Sequence, residues 1–245
     1  RGDLPTNAPI PAVYSDLGFI ALGRALEVIY GQRLDDLFAA RVAAPLGLSA
    51  AYRRISTDIG GHREPSASVT SVATLPPAAD TVATEVWTPR CPDGVALQGV
   101  VHDDNCAGLD GVAGHAGVFA SVDDVMTWAQ AWLRAVSMLP NRLGPALPAA
   151  HARAWVAPAY PPRSTWRHAF DTPSAGTSSA GSHVSASAFG HLGFTGTSVW
   201  IDPTRGAAVV LLTNRVHPSR DHHGAIKAFR PQVHDAVWRM LDAAS

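Results

Sequence analysis

A chain of 245 residues, 47% apolar and 16% charged, can bury the core of one large domain or two small ones. Its 19 basic and 20 acidic residues leave a formal charge of -1, which removes any electrostatic case for nucleic acid or an anionic membrane surface as partner. No apolar run approaches the ~20 residues that span a bilayer, and no signal-peptide pattern opens the chain.

The chain begins with Arg1 inside loop-like sequence, so an N-terminal segment of the same protein is expected to precede it. Residues 1 to 13 are Pro-rich and irregular. "DLGFIALGRALEVIY", residues 16 to 30, predicts a helix. Phe19, Leu22, Leu26 and Ile29 recur at helical spacing, Ser15 or Asp16 can cap it, and Gly31 stops it. A second helix is expected over residues 34 to 43, ending before Pro45. Residues 50 to 115 are rich in Pro, Gly, Ser and Thr and read as a long loop-rich insertion, functional or folded against a site. Cys91 and Cys106 lie in it and are equally readable as a disulfide or as two thiols.

The clearest helix is 122 to 138. Ser121 and Asp124 form a capping box, and Val125, Trp128, Trp132 and Val136 share a face. Residues 139 to 188 read as irregular. Strands follow near 189 to 194, 197 to 202 and 207 to 213, with "DPTRG" turning between the last two. A C-terminal helix near 222 to 243 starts or kinks at Pro231. Helices first, then strands, then a closing helix argue for an α+β fold. Residues 1–188 form a helical and loop-rich region and residues 189–245 the strands and last helix, together one composite domain. Two or three strands make a poor sheet alone, so partner strands are expected in the preceding segment.

Three patches carry possible chemistry. Tyr14-Ser15-Asp16 reads either as a buried tyrosine followed by two caps or as a tyrosine whose hydroxyl relays a proton beside polar partners. "GVAGHAGVFAS", residues 111 to 121, reads either as a flexible connection with an exposed His115 or as a pocket wall. "FGHLGFTGTSVWIDP" places His191, Gly193, Thr195 and Gly196 at a strand edge. These glycines mark either a bulge or a place where a substrate approaches free backbone N–H groups.

In order and spacing, the three patches resemble the serine β-lactamase and penicillin-binding-protein superfamily, in its class C-like esterase and peptidase branch. "YSDLGFIALGRALEVIYG" is similar to that family's Tyr-x-Asn motif and its helix. "HLG" at 191 to 193 stands where the family has Lys-Thr-Gly or His-Thr-Gly. "FTGTSVWIDP", "VVLLTNRVHP" and "GVVHDDN…GVAGHAGVFAS" continue the likeness over nearly the whole chain. The resemblance implies a β-lactamase/transpeptidase-like fold, with a helical domain packed on an antiparallel sheet. It implies acyl transfer through a serine ester, on an ester, amide or peptidoglycan-like peptide, with no cofactor. It favours a periplasmic or extracellular location.

Carried over, the resemblance makes Tyr14 the proton relay, with Asp16 contacting lysine and substrate. His191 replaces the strand lysine, and Phe194 lends its N–H to the oxyanion. His115, Gly193, Thr195 and Gly196 line the substrate. Leu192 stands in place of the usual hydroxyl residue, which favours an esterase or peptidase over a strong β-lactamase. The family's Ser-x-x-Lys occurs nowhere in the chain: the only lysine, Lys227, follows Gly224 by three residues. That motif is therefore expected upstream. The alternative is a non-catalytic penicillin-binding-like module that binds peptidoglycan-type peptides.

Two other chemistries fare worse. "GTSVW" begins like a nucleophile elbow, but Trp200 replaces the last glycine and the stretch is a strand. Eleven histidines include His222-His223 and His102 beside Asp103-Asp104, yet no His-Glu-x-x-His occurs, so no metal site is expected.

Overall fold

The computed structural model describes residues 13–55, 80–86, 90, 94–158, 165–176 and 178–244. Cys91, and with it the disulfide question, lies outside the described residues, as do residues 1–12 and 56–79 of the irregular stretches. Cys106 is fully buried, and its thiol donates to Ala116 O at 3.2 Å.

Helix α1 spans Asp16–Tyr30 and ends at Gly31, whose φ of 62° is left-handed. Ser15 precedes it in extended backbone without a side-chain cap. The second helix does not end before Pro45. α2 (Leu34–Phe38) runs into a π turn over Ala39–Ala43 and then α3 (Ala44–Leu46). In the π turn Ala44 N–H bonds to Ala39 O, and this widened turn just ahead of Pro45 makes room for a ring that would break regular α-helix. The helix stops instead at Gly47, where Leu48 N–H reaches Ala43 O and Gly47 N–H reaches Ala44 O. The loop-rich stretch also holds β1 (Ala51–Tyr52) and α4 (Asp104–Gly108), and β2 (Val118–Phe119), antiparallel to β1, follows it. These elements are too short for periodicity to reveal.

α5 (Val122–Val136) carries the expected capping box. α6 (Ala149–Val156) lies in a stretch read as irregular; no side chain caps it, so it announces itself weakly. Strands β3 (Phe189–Leu192), β4 (Ser198–Asp202) and β5 (Ala207–Leu211) form one antiparallel sheet in that order. α7 (His223–Ala244) closes the chain, with Pro231 inside it.

The sheet is packed on both faces. Ile201 and Val199 of β4 meet Ala129, Phe170 and Phe189 on the α5 side. Trp200 meets Trp238 of α7 on the other, where Ser198 and His234 also hydrogen-bond at 2.9 Å. Alternation along β4 thus splits one strand between two cores. Trp132 joins the α5-side core to the helical part. It packs into the α2–α3–α6 cluster, and its ring lies 4.9 Å from Phe170 and 6.4 Å from Phe189.

Asp124 links the start of α5 to the first helices. Its carboxylate accepts from Ser121 N and Oγ and from Ser49 N and Oγ, all within 2.7–3.0 Å. Burial raises its pKa, but these four donors outweigh that and hold it low. Asp124→Ala removes these four charge-assisted bonds and half of the capping box, and should lower stability in urea by about 2 kcal/mol.

Candidate active site

Tyr14 is 42% exposed at the mouth of α1, so it is not a core residue. Its hydroxyl lies near the Asp16 carboxylate. Its ring stacks on Trp166 at 5.3 Å and lies 5.7 Å from the His191 ring, which is itself 5.7 Å from Trp166. Residues 14, 166 and 191 thus form one aromatic wall from three distant segments. Trp166 carries no sequence signal, standing alone in an irregular stretch.

The Gly-rich loop closes on the same point. Gly114 lies against α1: a Cβ there would stand 2.1 Å from Phe19 O, and one on Gly23 would stand 3.1 Å from Gly114 N. Only glycine permits this approach. It carries His115 to Asp16. His115 is buried, its side chain 2% exposed, and its Nε2 lies 2.9 Å from Asp103 Oδ1. Asp103 also caps α4 by accepting from Cys106 N at 2.7 Å. Burial opposes ionisation of Asp103, but the Cys106 N–H and His115 hold its pKa below the usual value.

One donor atom each from Asp16, Asp103 and His115 falls within 4.8 Å of the others, a cluster able to receive a cation. Burial first, then the nearby Asp16 carboxylate and the charge of Asp103, push the Tyr14 pKa up to about 12.

The third patch is a turn. β3 stops at Leu192, and residues 193 to 196 turn the chain into β4. Gly193 N–H donates to Thr197 O at 2.8 Å, and Gly193 O accepts from Gly196 N at 3.0 Å. Both groups of Gly193 thus point into the hairpin. Peptide planarity then turns the Phe194 N–H the opposite way, off the outer edge of β3. Gly196, with φ 106°, backs onto Thr213 and Arg215, while the Thr195 carbonyl accepts from Arg215 N. His191 Nδ1 lies 2.7 Å from Leu192 O, which leaves Nε2 for another partner.

The Phe194 ring is 59% exposed between His102, stacked at 5.8 Å, and the Arg215 guanidinium, 4.3 Å from its centre. Behind His102 stands Glu85, 3.1 Å away and also held by Arg220.

A family model, Beta-lactamase, matches residues 6–230. The chain belongs to the β-lactamase family. It is 29% identical over 215 residues to an N-acetylmuramyl-L-alanine amidase of Bacillus subtilis, covering 84% of this chain and 44% of that protein. It is 26% identical over 212 residues to a putative D-alanyl-D-alanine carboxypeptidase of Escherichia coli, covering 84% and 45%. The chain therefore spans about half the length of the curated relatives it matches. Among solved structures, a β-lactamase from Mycobacterium bovis superposes with a TM-score of 0.59 at 18% identity, covering 94% of this chain and 65% of that one. A mutant of simvastatin synthase from Aspergillus terreus gives 0.59 at 15% identity, covering 94% and 55%. These likenesses establish the β-lactamase/transpeptidase-like fold.

Two outcomes follow from the geometry. Gly114→Ala overpacks the loop against α1 and should cost about 1–3 kcal/mol of stability in chemical denaturation. The Arg220 hydrogen bond and then, against burial, the His102 bond hold the Glu85 pKa at about 2, below its ordinary 4.5. A depressed carboxylate stabilises the fold above pH 4.5 and loses that contribution as pH falls toward 2. Glu85→Gln should flatten this part of the stability profile in thermal melts.

Proposed function

We propose that this chain supplies the proton relay and the oxyanion wall of a serine hydrolase that works through a serine acyl-enzyme. The observation that carries the reading is the meeting of Tyr14, Asp16, Asp103, His115 and His191 beside the Phe194 turn, from segments far apart in sequence. The 245 residues contain no Ser-x-x-Lys, and this reading takes the serine and its lysine from sequence that would precede Arg1. The amidase and carboxypeptidase relatives support an amide, ester or peptidoglycan-type peptide as substrate.

The electrostatics fit this division of labour. A tyrosine hydroxyl at about 12 is a poor base near neutrality. A lysine ammonium about 4 Å away, at an effective dielectric of about 20, stabilises the tyrosinate by roughly 4 kcal/mol and lowers that pKa by about 3. Asp16 and Asp103 offer the negative seat for such a cation. Tyr14 then takes the serine proton and returns it to the leaving group. The Phe194 N–H receives the charge that develops on the carbonyl oxygen. His191, with Nε2 free of the backbone, and Trp166 bound the acyl side.

Support also comes from the surface of α1. Leu17, Val28 and Ile29 are each about 70% exposed, an apolar face suited to a further helix of the same protein.

The test is the full-length protein with a fluorophosphonate probe and a p-nitrophenyl ester. Covalent labelling of a serine upstream of Arg1, with turnover, is expected. Absence of both would leave a binding module. In the active protein, Tyr14→Phe should lower kcat by roughly 10²-fold or more while the labelled serine remains; unchanged turnover removes Tyr14 from the chemistry.

A further inference from the structure

Arg230 of α7 is buried, 7% exposed, and no carboxylate among the described residues pairs with it. Its Nη2 donates instead to two main-chain carbonyls, Gly193 O and Thr197 O, both at 2.7 Å, and its Nε has no partner. Burial and then the neighbouring Arg215 charge draw its pKa below the usual arginine value. A buried cation without a counter-ion is a costly choice for a simple packing position. Both bonds fall on one feature, the turn between β3 and β4.

We propose that Arg230 is the positioning residue of the oxyanion donor, acting through the Gly193–Phe194 peptide. This rests on the acyl-transfer reading above. Gly193 O and Phe194 N–H belong to one planar unit, so a guanidinium that fixes the carbonyl also fixes the direction of the N–H. A cation on the carbonyl also withdraws electron density across the amide and makes its N–H a stronger donor, since hydrogen bonds in series polarise one another. Thr197 O, held by the same nitrogen, pins the far side of the turn. Arg215 braces the outside, with its Nε on Phe194 O at 2.7 Å and its N–H on Thr195 O at 2.9 Å. The turn is thereby gripped from two sides with the Phe194 N–H left for substrate. In sequence, Arg230 is only the residue before a helix proline.

The experiment compares wild type, Arg230→Met and Arg230→Lys in the full-length protein. It reads kcat and KM on a p-nitrophenyl ester, active-site concentration by fluorophosphonate titration, the melting temperature, and the Phe194 amide proton shift. Arg230→Met should lower kcat per titrated site by roughly 10²-fold, with KM changed about twofold at most, because only the transition state uses the donor fully. The Phe194 amide proton should move upfield. Lysine, which reaches one carbonyl as a point charge, should recover roughly tenfold of the loss. An unchanged kcat per site with an unmoved Phe194 shift overturns the proposal, even where the melting temperature falls. If Arg230→Met does not fold, Arg230→Lys carries the comparison: wild-type kcat and shift overturn, intermediate values support. If the wild type neither labels nor turns over, the acyl-transfer reading fails by itself. The Phe194 shift in the variants then still decides whether Arg230 holds the peptide.

Discussion

The candidate site depends on the backbone contact between α1 and Gly114. A side chain at Gly114 would meet Phe19 O at 2.1 Å, so the loop can seat itself on the first turns of α1 only because that position has none. Seating the loop buries His115 and turns it toward Asp103, and the pair then faces Asp16 at the start of the helix. Tyr14, two residues before the helix, inherits two carboxylates as neighbours. Its raised pKa follows from that crowding and from its own burial. Asp16, Asp103 and His115 thereby converge on one small cluster able to receive a cation.

The sheet holds the other half of the site. β4 sends Val199 and Ile201 to one core and Ser198, Trp200 and Asp202 to the other, so the sheet is clamped between α5 and α7. A strand held this firmly can present the short turn at 193 to 196 as a rigid feature. α7 does more than cover the sheet. Its inner face carries Arg230, His234 and Trp238, all buried, and they reach the turn, Ser198 and Ala180 in succession. The polar groups on this face make directional contacts with the strand ends, while Trp238 supplies apolar burial.

Much of the fold was legible in the sequence. α1, α5, the three strands of the main sheet and the closing helix each have a strong period or cap, and such signals depend only on neighbouring residues. The helix beyond Pro45 was misjudged because a π turn accommodates the proline, and that adjustment is settled by packing of Leu46 and Leu48 into the core. β1, β2, α4 and α6 escaped because short elements hold their shape by tertiary contact rather than by local preference.

For the site, the residue types of the Tyr14, His115 and His191 stretches were sufficient to single out those three patches. The same letters left a buried tyrosine before two caps, a flexible loop and a bulge readable as well. Tertiary structure adds the contacts that no letter announces: Asp103 against His115, Trp166 against Tyr14, and Arg230 against the Gly193 carbonyl. Local sequence specifies which groups are present and how the backbone near them bends. The pKa of Tyr14 is raised by burial and by Asp103, 89 residues away, and the Gly193 carbonyl is held by Arg230, 37 residues away; these distances and this burial exist only in the folded chain.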